Sequence, residues 1–262
     1  MSEMSSNATS LGAAKPAPGP CVPWGFWGTS AWTAAAIAAW AAMQFSVFVG
    51  MFIVSGVGDN LSPREIEAFA SHAVALSLIS ILAAPVEIGI IALAIRFARC
   101  RFGDYLALVR PPCRELLIGL ACLAVLLPAS DLYSYLSGRT LVPSFVMEAY
   151  RTGRDSGTLW LLGFAIVVAA PVTEEIVFRG FMFRGFAASK VGLAGAIVLP
   201  SAIWAVMHVQ YEAYYIVLIF VLGLLFGWLR WRSGSTTVTI VLHGAVNLAS
   251  LVQTAVIAEK FS

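Results

Sequence analysis

The amino-acid sequence predicts an all-α fold: a polytopic transmembrane helical bundle of about seven to eight spans. Two properties of the composition indicate this class, since 60% of the residues are hydrophobic and only 11% are charged, whereas soluble domains carry roughly 25% charged residues. The third indication is that the apolar residues are collected in long runs. Several runs approach the length of about 20 residues that a helix needs to cross a bilayer.

Three regions follow one another along the chain. Residues 1–28 are rich in Ala, Ser, Pro and Gly, and we expect a disordered N-terminal tail there. This stretch lacks the charged segment and apolar core of a signal peptide. Residues 29–157 are predicted to form N-terminal transmembrane helices, and residues 158–258 a further helical core that contains most of the chain's conspicuous polar residues.

Seven apolar segments are predicted to span the membrane. In order, they cover residues 30–56, 71–95, 115–136, 158–178, 191–208, 211–230 and 236–257. Pro128 and Asp131 weaken the third segment, and an eighth, re-entrant segment is compatible with the pattern. Gly223 and Gly227 form a G-x-x-x-G pair, which is typical of close packing between membrane helices.

The basic residues of the loops predict that the N-terminus is cytoplasmic, because cytoplasmic loops carry an excess of Lys and Arg. Three loops on the N-terminal side hold Arg96, Arg99, Arg101, Arg110, Arg114, Arg184, Lys190, Arg230 and Arg232. Such an asymmetry is typical of a bacterial plasma (inner) membrane protein surrounded by membrane lipids. The basic residues are distributed as orientation signals, so no nucleic-acid partner is expected.

The four cysteines, Cys21, Cys100, Cys113 and Cys122, are scattered and form no C-x-x-C pair. Neither a disulfide framework nor a zinc ribbon follows from this spacing. We expect these side chains to act as small apolar filler.

Two adjacent carboxylates and an arginine lie at the end of the apolar run that starts near residue 159. Each residue of a helix turns by about 100°, so Glu175 and Arg179 share a face and are predicted to pair. Glu174 points away from that face and is left without a partner. An unpaired carboxylate in a polar cavity is suited to act as a general base. The alternative is that the group is only a structural ion pair at the membrane edge.

Two of the three histidines lie in apolar segments of the same half of the chain, at His208 and His243. His243 and Asn247 are one helical turn apart and share a face. A histidine in a membrane helix can simply bond to a neighbouring helix. Together with Glu174, however, these residues supply a base for water and donors for an oxyanion. If so, the active site lies in a polar cavity between helices.

A metal site is the competing hypothesis for these side chains. Two His and a Glu also form a zinc set, so a divalent metal such as zinc stays open as a cofactor. The sequence contains no H-E-x-x-H motif, and Asn247 suits hydrogen bonding better than metal ligation. We therefore favour a water molecule activated by glutamate and histidine, with no certain cofactor.

Three ordered motifs carry a resemblance to a known family. They are Glu174-Glu175-x-x-x-Arg179, then Trp204-x-x-x-His208, then His243-x-x-x-Asn247. In this order they resemble the CPBP family, which contains the type II CAAX prenyl proteases and the bacteriocin-processing (Abi-like) membrane proteases. The stretch from Gly223 to Ser235 is also similar, and the resemblance covers about residues 158–252, so that residues 158–258 would be the catalytic core.

The resemblance implies an intramembrane endopeptidase, and it implies a role for each motif residue. Glu174 would activate water with the help of His208. His243 and Asn247 would stabilise the tetrahedral intermediate, while Glu175 and Arg179 support the site. At Trp204 the family usually has Phe, and the larger ring would narrow the substrate groove.

The predicted function is therefore hydrolysis of a peptide bond near the cytoplasmic face, with CAAX-type C-terminal processing as one form of it. The substrate would be a peptide or protein with an apolar or lipidated segment. The alternative is a non-catalytic membrane immunity or scaffold protein that binds a peptide or a partner protein. A transporter is disfavoured, because no internal repeat is visible in the sequence.

Two further expectations concern the depth of the motif residues in the membrane and the polar residues Glu87 and Asp131. Glu174 lies about 24 Å from the start of its predicted span. His208 lies about 25 Å from the start of a span that runs in the opposite direction, so the two residues are expected near opposite faces of the membrane. Glu87 and Asp131 follow prolines inside predicted spans. They either bridge backbone groups that the prolines leave unpaired or line the same cavity as the motif residues.

Overall fold

The computed structural model describes residues 21–55 and 71–260, and within these ranges the chain consists of helices without a strand. Nine helices are present in the described part: α1 (Phe26–Ser55), α2 (Ala73–Phe97), α3 (Phe102–Leu106), α4 (Cys113–Leu136), α5 (Ser144–Asp155), α6 (Leu159–Ala187), α7 (Gly192–Val206), α8 (Ala213–Ser233) and α9 (Thr236–Lys260). The predicted all-α, polytopic membrane fold is confirmed.

Six of these helices are long and apolar enough to cross a membrane, namely α1, α2, α4, α6, α8 and α9. The fifth predicted span, residues 191–208, corresponds to α7, which is apolar but only 15 residues long. The fourth predicted span ends too early at residue 178, because its helix continues to Ala187. This extension changes the depth at which the site lies.

Residues 1–20 of the predicted tail lie outside the described residues, as does the segment 56–70 between α1 and α2. Residues 26–28 of the tail belong to α1. Just before this helix, the Trp24 indole Nε1 donates a hydrogen bond of 3.0 Å to the Ala94 carbonyl of α2. The first residues that the structure describes are therefore held against the end of α2.

The expectation that the cysteines are only apolar filler is wrong for two of them. Cys21 and Cys100 form a disulfide across a sequence separation of 79 residues. Their pairing depends on the antiparallel packing of α1 against α2, which brings the start of one helix to the end of the other. The spacing of the cysteines along the chain does not predict this contact.

The bundle has two ends, which differ in charge. The end that we call the arginine-rich end contains the N-terminus of α1, the disulfide and the loops at residues 98–112, 188–191 and 234–235. The opposite end contains helix α5 and the loops at residues 137–143 and 207–212. If the N-terminus is cytoplasmic, as the loop charges predict, then the opposite end faces away from the cytoplasm.

Helix α6 is the central helix of the bundle. It changes to a π-helix over Ala165–Ala169 and again over Ile176–Met182, with one α-helical turn and a half between them. All seven residues of the second π segment are buried. Since π-helical turns are rare and occur mostly at functional sites, the segment between them is where a site is expected.

Helices α7 and α8 approach each other through the G-x-x-x-G pair of α8. A Cβ atom at Gly223 would lie 2.8 Å from the Ser201 Cβ of α7, and one at Gly227 would lie 3.0 Å from the Ile197 Cγ2. The close helix packing that the sequence predicts is thus present. It places the end of α7 against the middle of α6.

The close approach predicts that Gly223→Ala destabilises the protein. The added methyl group has no room beside Ser201, so the two helices must separate, which costs about 1–3 kcal/mol. The melting temperature of purified protein in a mild detergent should fall by several degrees. Gly89→Ala is the matched control, because a Cβ there meets nothing within 4 Å; an equal effect of both changes would contradict the packing argument.

Thiol labelling tests both the disulfide and the orientation of the bundle. In SDS, a maleimide-polyethylene glycol reagent should add two labels to protein purified without reductant, at Cys113 and Cys122, and four labels after reduction. Because the cytoplasm keeps thiols reduced, intact cells lysed directly into the reagent should give four labels if the arginine-rich end is cytoplasmic. Two labels in cells would place that end on the oxidising side and contradict the loop-charge prediction.

Candidate active site

Glu174 lies near the middle of α6, between the two π segments. At 1.5 Å per residue it is about 20 Å from the end of the helix at Ala187, and Trp204 is about 18 Å from the start of α7. Because α7 runs back antiparallel to the end of α6, the two side chains reach the same depth. The depth mismatch that the sequence predicts between Glu174 and His208 becomes smaller, since it arose partly from ending the fourth span at residue 178; His208 lies four residues beyond Trp204, past the end of α7.

The Glu174 carboxylate has one hydrogen-bond donor among the described residues. Its Oε2 accepts a hydrogen bond of 2.5 Å from the Trp204 indole Nε1, and 28% of its side chain is exposed. It faces open space that further side chains of the site also line. The group is therefore oriented by a neighbour and still accessible to a ligand.

Glu175, next to it, is completely buried. Its Oε1 lies 3.0 Å from Arg179 Nη1, and the two side chains are 0% and 1% exposed. The pairing predicted from the four-residue spacing is thus present. Arg179 also donates through Nη2 to the Gly223 carbonyl at 3.3 Å and lies over the Trp204 ring, with Cζ 4.5 Å from the ring centroid. Removing one partner of such a buried pair typically costs about 3–5 kcal/mol.

His243 on α9 joins the two carboxylates. Its Nδ1 lies 3.0 Å from Glu175 Oε1 and donates to it, since an ionised carboxylate only accepts. Its Nε2 lies 4.0 Å from Glu174 Oε2, which is too far for a direct hydrogen bond. This nitrogen makes no hydrogen bond among the described residues, and His243 lines the same space as Glu174.

His208 lies just beyond the end of α7, in the loop at the opposite end. Its Nδ1 donates to the Trp204 carbonyl at 2.7 Å, because a carbonyl oxygen can only accept. In the neutral ring this leaves the lone pair on Nε2, so the tautomer is determined by the backbone. Trp204 thus contacts Glu174 through its side chain and His208 through its main chain.

Asn247 lies one turn after His243 on α9, but its contacts differ from those of the other motif residues. Its Nδ2 donates to the Ile166 carbonyl at 2.6 Å, within the first π segment of α6. One amide hydrogen is used in this bond and one remains. Asn247 lines the cavity without touching Glu174 or either histidine in the described contacts.

Two cavities meet at these residues. The first has a volume of about 510 Å³ and is bounded by α2, α4, α5, α6, α7, α8 and α9. The second has a volume of about 500 Å³ and is bounded mainly by α1, α2 and α6. Glu174, Trp204 and His208 line both cavities, so the candidate base lies at their junction. Asp131 lines the first cavity, and Glu87 the second.

Both cavities extend from the middle of the bundle towards the opposite end, where His208, Tyr211 and the start of α8 lie. The expectation of cleavage near the cytoplasmic face therefore does not fit together with a cytoplasmic N-terminus. The expectation arose because the predicted fourth span ends at residue 178, which puts Glu174 close to the cytoplasmic end of that span. In the complete helix α6, Glu174 lies near the middle.

Zinc binding at these side chains stays a hypothesis. Among the described residues, no group of three or more His, Cys, Asp and Glu is placed to hold a metal ion. The Nδ1 atoms of His208 and His243 bind a carbonyl and a carboxylate, which leaves Nε2 of each ring available, and His243 Nε2 lies 4.0 Å from Glu174 Oε2. We derive no reaction step through a metal.

Two contributors to the site were not predicted from the sequence. The Tyr211 ring stacks on His208, with centroids 5.9 Å apart and an interplanar angle of 14°. Loss of contact with water, and secondarily the Glu174 charge, raise the pKa of the Tyr211 phenol to about 12, so that this group stays protonated. Buried Arg230 donates through Nε to the Arg179 carbonyl at 3.0 Å. The sequence feature that could have identified Arg230 is a charged residue inside an apolar helix.

Comparison with known proteins agrees with this geometry. Residues 156–249 match the family described as type II CAAX prenyl endopeptidase, Rce1-like, and the match contains every motif residue from Glu174 to Asn247. No curated protein and no solved structure matched the chain. The family match supports a CAAX-type intramembrane protease in general and an integral membrane protein. The resemblance to the CPBP family is confirmed for residues 156–249, which match the Rce1-like family.

Proposed function

We propose that this protein is an intramembrane endopeptidase in which Glu174 is the general base. The observation that carries the proposal is the difference between two adjacent carboxylates. Glu175 is sealed and neutralised by Arg179, whereas Glu174 is oriented by one hydrogen bond and open to two cavities. A base that is positioned but accessible is what activation of a water molecule requires.

In the proposed reaction, Glu174 removes a proton from water, and the water oxygen attacks the carbonyl carbon of the scissile peptide bond. The resulting tetrahedral intermediate collapses when the leaving nitrogen receives a proton from Glu174. The products are a new carboxyl group and a new amine. His208 assists with its unprotonated Nε2, which lines the same cavity.

The oxyanion of the intermediate would be stabilised by His243 and Asn247. His243 keeps Nδ1 bonded to Glu175 and needs a proton on Nε2, already present in the resting site, to donate to the oxyanion. The remaining amide hydrogen of Asn247 supplies a second donor. With His243 in this form, the negative charge moves from Glu174 to the oxyanion and the site keeps no net charge, which limits the cost of placing it inside a membrane.

The substrate is proposed to be a peptide or protein with an apolar or lipidated segment, and lipids surround the protein. The walls of the first cavity are largely apolar, with Leu127, Leu162, Leu218 and Ile219 among them. A CAAX-type prenylated C-terminus has such a segment, as does an ordinary membrane peptide. The proposal places the protein in a bacterial inner membrane with the N-terminus in the cytoplasm, and its cavities then extend towards the other face.

Glu174→Gln is expected to reduce cleavage by at least about 10²-fold while the protein still folds, because the amide cannot accept a proton. The measurement uses purified protein in liposomes and two quenched fluorescent peptides, one with a farnesylated C-terminal Cys and one apolar and unmodified. Each reaction is run with and without a chelator. The metal-free mechanism predicts no effect of the chelator, and activity that is lost and then restored by zinc would contradict it.

Glu115→Gln is the matched control for that experiment. Glu115 also lies in a spanning helix, but it pairs with Arg232 at 3.7 Å and lines neither cavity. Its variant should keep wild-type activity. Full activity of Glu174→Gln would overturn the glutamate mechanism. Absence of cleavage by the wild type on both peptides would favour the non-catalytic alternative, a membrane protein that binds a peptide or partner.

Trp204→Phe should lower kcat/KM by about tenfold, since a hydrogen bond to a charged group contributes about 1.5–3 kcal/mol and about 1.4 kcal/mol corresponds to tenfold. The change keeps an aromatic ring over Arg179 but removes the only donor to Glu174 in the described structure. Trp231→Phe, at an exposed position, is the control. Unchanged activity of Trp204→Phe would show that the indole N–H does not position the base.

A further inference from the structure

Glu87 is a buried carboxylate without a partner among the described residues. It lies near the middle of α2 and is 8% exposed, and it makes no ion pair or hydrogen bond in the part of the chain that the structure describes. Every other acidic residue in the described spans has one: Glu115 with Arg232, Asp131 with Gln253, Glu174 with Trp204, Glu175 with Arg179, and Glu259 with Arg154.

An unpaired carboxylate inside a membrane helix is costly, because its hydration is lost without compensation. The expectation that Glu87 bridges a backbone group freed by Pro85 does not describe the structure, since Glu87 forms no hydrogen bond there. Ser130, after Pro128, differs in this respect: its carbonyl accepts from the Tyr214 hydroxyl at 2.9 Å. The described residues therefore leave the Glu87 carboxyl group available to a partner from outside them.

The position of Glu87 indicates where such a partner would bind. Five residues of α2 line the second cavity along one helix face: Leu76, Ile79, Ser80, Ala83 and Glu87. Leu76 is nearest to the opposite end of the bundle, and Glu87 is the deepest of the five. A group that enters from the junction at Glu174 and passes along this face reaches the Glu87 carboxylate.

The second cavity is suited to a cation. Its described lining contains the acidic residues Glu87 and Glu174 and no Lys or Arg. In a medium of low dielectric constant, opposite charges attract strongly and like charges repel. Trp40 and Phe178 also line the cavity, and aromatic faces attract cations. A carboxylate or phosphate group would be repelled by the two acidic residues, and no Lys or Arg of the described lining would compensate.

We propose that the second cavity binds a basic side chain of the peptide substrate, Lys or Arg, beside the scissile bond, with Glu87 as its counter-ion. The inference rests on the proposed protease function. Glu174 lines both cavities, so a peptide bond held at Glu174 has one flanking segment in each. The aliphatic stem of the basic residue packs along the apolar part of the second cavity, and its charge reaches Glu87.

The test measures binding to the Glu174→Gln protein, which keeps peptides intact. In a neutral detergent, fluorescence anisotropy follows a labelled apolar peptide in which one Lys is moved through each position in turn. The matched peptides carry norleucine, which has a similar chain without the charge. At one or two positions Lys should bind about tenfold more tightly than norleucine, as expected for a hydrogen-bonded ion pair.

The preference for Lys should disappear in Glu174→Gln/Glu87→Gln and persist in the control Glu174→Gln/Glu115→Gln. Size-exclusion profiles and melting temperatures show whether the variants are folded. Equal affinity for Lys and norleucine at every position in the Glu174→Gln protein would overturn the proposal. That result does not depend on whether a Glu87 variant folds.

Cleavage of the same peptides by the wild type separates this inference from the proposed function. Glu174-dependent cleavage that is indifferent to Lys, as read by mass spectrometry, would keep the protease and overturn the basic-residue pocket. A Glu87-dependent preference for Lys in binding, without any cleavage, would support the pocket and contradict the protease. Cleavage next to Lys that loses this selectivity in Glu87→Gln supports both.

Discussion

The buried pair of Glu175 and Arg179 is the interaction on which the arrangement of helices around the site depends. Both side chains are removed from water, so each of their polar groups needs a partner inside the bundle. Arg179 bonds to the Gly223 carbonyl of α8, and its own carbonyl accepts from Arg230. Glu175 accepts from His243 of α9. One ion pair on α6 thereby connects three helices, and it limits how each can move.

The same pair separates the roles of two neighbouring carboxylates. Glu175 is committed to Arg179 and His243, which leaves Glu174 as the acid that faces open space. Trp204 adds a second constraint from α7, because its ring lies over Arg179 while its indole N–H bonds to Glu174 and its carbonyl to His208. The close contact of Gly223 with Ser201 brings α7 near enough for these bonds. Packing and chemistry are therefore linked through the small residues Gly223 and Ser201.

The two cavities determine the side of the bundle from which the site at Glu174 is reached and the chemical groups that it accepts. They meet at Glu174 and extend away from the arginine-rich end. Their walls differ, since α4, α8 and α9 line only the first cavity, whereas α1 and Glu87 of α2 line only the second. An apolar or lipidated segment suits the first, and a basic side chain suits the second. Under the proposed function, the N-terminal helices α1 and α2 then contribute to substrate selection and do not merely shield the site from lipid.

Hydropathy and the 100° rotation per residue are local properties of a helix, and they predict the membrane fold, the pairing of Glu175 with Arg179 and the difference between Glu174 and Glu175. The packing of the helices was needed to show that Trp204 donates to Glu174 from a similar depth, that Cys21 meets Cys100, and that Glu87 has no partner among the described residues. Each of these depends on contacts between segments that are distant in sequence, and a local pattern carries no information about how helices pack.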